Sequence, residues 1–166
     1  MRKLILVAAM ALTASLALSA CNKTADQQVA QQSSQQAPKP TDPNDAKAWN
    51  AYLSQIVQNN MQGMSANQPY AYLVKAPVDD DAKAQNARQL QGIQDTVARG
   101  VLPGNMLAFA GPDSAATADL VIAAFKDARA GSFKDVIILF IGTKADEQRV
   151  EEVLKPTGAT IRFVEM

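Results

Sequence analysis

The run Val136-Ile137-Ile138-Leu139-Phe140-Ile141 contains no polar residue. Six residues are too few for a membrane-spanning helix, and a surface helix would interrupt the run with polar positions. An unbroken stretch of β-branched and aromatic side chains suits a strand covered on both faces. A chain with such a strand must set it in the middle of a sheet and pack structure above and below it.

The segments around this strand follow a repeating order. Trp49, Leu53, Ile56, Val57, Asn60, Met61 and Met64 recur at helical spacing, which predicts a helix near residues 43–64. Asp42 or Asn44 is placed to cap it, and Gly63 with the run up to Pro69 stops it. Trp49 and the two methionines read as core. Residues 70–74 predict a strand and 79–99 a helix with Ala82, Leu90, Ile93 and Val97 inward. Residues 105–110 predict a short apolar strand and 113–130 a helix with Leu120, Val121, Ala124 and Phe125 inward. After the central run, 146–155 predict a helix, and the alternation over 160–164 predicts an edge strand.

Strands that alternate with helices pair in parallel through right-handed crossovers. The expected fold is therefore a small three-layer α/β/α sandwich: a four-stranded, mostly parallel sheet with about four helices, two on each face. The flavodoxin-like strand order 2-1-3-4 is favoured, with a Rossmann-like 3-2-1-4 order as the alternative.

The N-terminus has a separate logic. Arg2 and Lys3 precede an uncharged apolar run from Leu4 to Ala20, the pattern of a secretory signal. The run ends in Leu18-Ser19-Ala20-Cys21. These four residues resemble the lipobox of bacterial lipoproteins. The resemblance implies that residues 1–20 are removed, that Cys21 carries diacylglycerol and an N-acyl chain, and that the membrane is a partner through this anchor. Asn22, where an Asp would favour inner-membrane retention, points to the outer membrane, with the domain facing the periplasm. Residues 21–41, rich in Gln, Ala and Pro, cannot bury enough apolar surface to fold and read as a tether with a reach of about 25–30 Å. Residues 42–166 form the single domain.

Composition excludes much chemistry. The chain has no histidine and one cysteine, so His-dependent hydrolases, His/Cys zinc sites and intramolecular disulfides are ruled out. Of the 16 Lys and Arg, Arg2 and Lys3 fall in the leader, which leaves 14 against 16 Asp and Glu. That balance argues against nucleic acid as a partner. No phosphate-binding glycine motif and no cofactor motif is present.

Remaining chemistry would sit beyond the carboxyl ends of the strands. The residues expected there are Asp79, Asp80, Asp113, Ser114, Thr143, Lys144 and Asp146. A crevice lined by these carboxylates could hold Mg²⁺ or Ca²⁺. Each acid, however, also stands just before or within a helix start, where capping alone explains it. The capping reading is preferred, with no metal site and no catalytic residue assigned. Tyr70 and Tyr72 share a strand face and read as half-buried core, or else as anchors for a partner. The expected function is a lipid-anchored envelope module that binds a protein or a cell-wall component without catalysis. The alternative is a small-molecule or divalent-cation binder, or a carboxylate-dependent enzyme, working at the strand ends.

Overall fold

A computed structural model describes residues 38–166. The expected leader 1–20, Cys21 and nearly all of the 21–41 tether lie outside the described residues. The elements are α1 (Ala46–Asn59), β1 (Tyr70–Leu73), α2 (Asp80–Arg99), β2 (Met106–Ala110), α3 (Ser114–Phe125), β3 (Ile137–Gly142), α4 (Lys144–Leu154), a short 3-10 turn (Lys155–Thr157) and β4 (Thr160–Glu165).

The four strands are all parallel, and the three-layer α/β architecture follows. The apolar run is an interior strand, with β3 buried at every position, and β4 lies at an edge. The strand order is β1-β2-β3-β4, which corrects both expected orders. The distribution of helices differs in consequence. Three right-handed crossovers that each step to the next strand in the same direction leave their helices on one face. A 2-1-3-4 or 3-2-1-4 sheet needs one step backwards, which would move a helix to the other face. Here α2, α3 and α4 share one face, and α1 lies alone on the other.

The two cores record this split through the period-2 alternation of the strands. Leu107, Phe109, Ile138 and Phe140 point towards α2–α4 and pack with Ile93, Val121, Phe125, Val150 and Leu154. Met106, Ala108, Ala110, Ile137, Leu139 and Ile141 point towards α1 and pack with Trp49, Leu53 and Ile56. The register brings one aromatic from each strand into a row across the three-helix face: Tyr72 beside Phe109, Phe109 beside Phe140, and Phe140 beside Phe163. Tyr72 stacks on Phe109 with ring centroids 5.1 Å apart. Tyr72 is thus half-buried, whereas Tyr70 is 47% exposed.

Helix α3 is the middle helix of its layer, with Ser114, Thr117, Ala118, Leu120, Val121, Ala124 and Phe125 all buried. It ends at Phe125 rather than continuing to Ala130, because Phe133 turns back into the core against Phe125 at 5.1 Å. Helix α1 is capped by Asp45, whose carboxylate accepts from the Ala48 N–H at 2.9 Å, and not by Asp42 or Asn44. Asp42 instead accepts the Trp49 indole N–H through its backbone carbonyl at 3.0 Å. The face that α1 leaves open is covered by the following loop. Met61 and Met64 pack on the sheet, and the Arg162 guanidinium on β4 donates to the carbonyls of Asn60 and Gln62.

Candidate functional site

The carboxyl ends of β1, β2 and β3 open onto one edge of the sheet, where α2, α3 and α4 begin. Two of the expected site residues are caps. Asp79 accepts from the Ala82 N–H at 2.7 Å, and Asp113 accepts from the Ala116 N–H at 3.0 Å. Asp80 stands in the first turn of α2 and pairs with Lys83 at 3.4 Å on the exposed surface, where such a pair contributes little. Lys144 is exposed at the start of α4.

Ser114, Thr143 and Asp146 come together in a way that capping does not explain. The Asp146 Oδ2 accepts from the Ser114 hydroxyl and from the Thr143 hydroxyl, both at 2.7 Å. The Ser114 oxygen accepts in turn from the Thr143 backbone N–H at 2.8 Å. Arg149, one turn further along α4, donates to Asp146 Oδ1 at 3.1 Å and to Asp119 of α3. The knot pins the start of α3 to the start of α4. Ser114 and Asp146 are buried, at 7% and 8% exposure. Hydrogen bonding from Ser114 is the main cause that holds the Asp146 carboxyl below its ordinary value, against the opposing effect of its own burial. The hydrogen bond from Arg149 to Asp119 is the main cause that raises the guanidinium.

Two glycines allow this edge to close. A Cβ on Gly142 would lie 2.6 Å from the Ser114 oxygen and 2.5 Å from the Phe140 ring, so only glycine lets β3 pass under the knot. A Cβ on Gly111 would lie 2.4 Å from the Val74 carbonyl oxygen. The strand ends of β2 and β3 are therefore filled by side chains. The four aspartates expected to line a cation crevice do not converge. Among the described residues no group of three or more His, Cys, Asp or Glu could hold a metal ion.

The end of β1 is different. A recess of about 440 Å³ opens there between the first turns of α1 and α2. Its apolar wall includes Trp49, Leu73, Val74 and Val78, and its polar rim includes Lys75, Asp79 and Asp81. Of the expected site residues only Asp79 reaches it. A second recess, of about 570 Å³, lies between the far ends of α2 and α3, where Arg99, Lys126 and Arg129 alternate with Asp95 and Asp127.

Sequence reasoning missed the residues that shape the β1 end. The Asn86 side chain accepts from the Lys75 N–H at 3.0 Å and donates to the Lys75 carbonyl at 2.7 Å. Gln89 donates to the Leu73 carbonyl at 3.3 Å. These α2 amides occupy the Leu73 carbonyl and both Lys75 backbone groups, which the end of the edge strand would otherwise offer to another strand. No sequence signal marks them, since Asn and Gln in a helix read as solvent-facing. No family model matches the chain, and no curated protein or solved structure matches it either.

Proposed function

We propose that the chain is an envelope lipoprotein, anchored through acylated Cys21 in the outer membrane, whose α/β domain is a non-catalytic binding module facing the periplasm. The observation that carries the non-catalytic part is the state of the strand ends. The hydroxyls and the carboxylate that a parallel sheet would use for chemistry at β2 and β3 are bonded to one another in a closed knot that braces two helices. A buried carboxylate held ionised by hydroxyl donors makes a poor general base near neutral pH. The absence of histidine from the sequence points the same way. The anchor and the tether support a module that works within a short radius of a membrane.

Affinity capture from detergent-solubilised envelopes, in several growth conditions, tests the interaction reading. A protein or wall fragment that co-purifies with the wild-type chain in fixed proportion is the expected result. Recovery of nothing above the control in every condition contradicts it. The open recess at β1 favours a second reading, in which the module binds a small molecule.

A further inference from the structure

We infer that the recess at the end of β1 binds a small zwitterion of the amino-acid or dipeptide class. Its apolar side chain lies against Leu73 and Val78, over the buried Trp49, its carboxylate at Lys75 and its ammonium at Asp79 and Asp81. The inference rests on the reading of the domain as a binding module and specifies that module's ligand.

Position comes first. β1 is the strand whose carboxyl end has a helix starting on each face of the sheet, α1 on one and α2 on the other. Helices that diverge to opposite faces leave a gap at a strand end, whereas α3 and α4 start on the same face and close over theirs. Gaps of this kind are where parallel sheets hold ligands. The volume of about 440 Å³ falls within the roughly 300–1,000 Å³ typical of small-molecule sites.

The lining then selects the chemistry. Lys75 and Asp81 both face the recess, and neither side chain has a hydrogen-bond or ion-pair partner among the described residues. Asp79 uses Oδ1 to cap α2, which leaves its second oxygen available. A purely anionic ligand would meet two carboxylates, and a purely cationic one would meet Lys75. A molecule with both charges satisfies the rim. The apolar wall calls for a hydrocarbon or aromatic body as well: Val78 is 66% exposed at this rim, one of three large hydrophobic residues exposed among the described residues. Asn86 fixes Lys75 by bonding both of its backbone groups, so the base of the ammonium arm is held in place. The same bonds, with that of Gln89, block an extended polypeptide from pairing along this end of β1, which limits the ligand to a short one.

Trp49 is the only tryptophan of the chain and lies beneath the recess with 2% of its surface exposed, so its emission follows changes at the recess floor. The test is a fluorescence titration of the full-length, lipid-bearing protein in detergent micelles with alanyl-leucine, N-acetyl-alanyl-leucine and alanyl-leucine amide. A saturable change with the free dipeptide is expected, with each blocked form binding roughly tenfold more weakly, the size of one charge-assisted hydrogen bond. Lys75→Met should bind the free and amidated forms equally, and Asp81→Asn should narrow the gap between the free and acetylated forms. No saturable response, blocked forms that bind as tightly as the free one, or preferences unchanged in both variants would overturn the inference. If envelope capture still recovers a partner in that case, the module reading stands and only the ligand assignment falls.

Discussion

Replacing Asp146 tests whether the knot between α3 and α4 is structural. Its carboxylate accepts two hydroxyl donors at 2.7 Å and one guanidinium N–H at 3.1 Å while only 8% exposed. A hydrogen bond to a charged group contributes about 1.5–3 kcal/mol, and an orphaned buried donor costs a further share. Asp146→Ala should therefore destabilise the domain by about 3 kcal/mol, or roughly 10 °C in Tm. Asp146→Asn keeps the volume and one acceptor but loses the charge, and should cost about 1–2 kcal/mol. The pH dependence follows from the direction of the shift. The folded-state carboxyl lies below its ordinary value of 3.8, so the folded protein binds this proton more weakly than the unfolded chain. The contribution is fully present above 3.8 and is lost as pH falls through the lowered folded value. Urea unfolding of wild type and Asp146→Asn at about pH 7 and about pH 3 should show a gap that narrows in acid. A gap of the same size at both pH values, or none at neutral pH, would show that the Asp146 charge does not stabilise the fold.

Three further outcomes follow from the packing. Gly142→Ala drives a Cβ into Ser114 and Phe140 and should cost about 1–3 kcal/mol in urea unfolding, as overpacking typically does. Asn86→Ala releases both backbone groups of Lys75, so the Lys75 amide should exchange with solvent at least about tenfold faster by NMR, for a loss of about 1–2 kcal/mol. Arg162→Met removes the donors to the Asn60 and Gln62 carbonyls, and limited proteolysis should then cut within residues 60–69 before any other part of the domain.

The elements were legible because each carries its own periodicity: β3 as an unbroken apolar run, α1 through Trp49, Leu53, Ile56 and Val57, and β4 through alternation. Strand order was not legible. An apolar stripe on α2 or α4 says that the helix covers a sheet, but not which face it covers. That choice depends on the direction in which each crossover steps, and α1 alone on its face is a result of the whole topology. The caps at Asp79 and Asp113 could be read locally, since a cap and its helix are adjacent in sequence. The knot could not be, because Ser114 and Asp146 are 32 residues apart and meet only when β2 and β3 are neighbours. The recess escaped notice for a related reason: its wall joins Trp49 of α1 to residues after β1, which the sequence gives no reason to place together.

On the proposed reading, acylated Cys21 holds the domain at a membrane and the domain folds independently of that anchor. Metabolic labelling with radioactive palmitate, followed by envelope fractionation and circular dichroism of the purified chains, tests it most directly. Label and outer-membrane recovery are expected for wild type, and loss of both in Cys21→Ser with an unchanged α/β spectrum and melting temperature. Equal labelling of the two chains, or an unfolded Cys21→Ser, would contradict it.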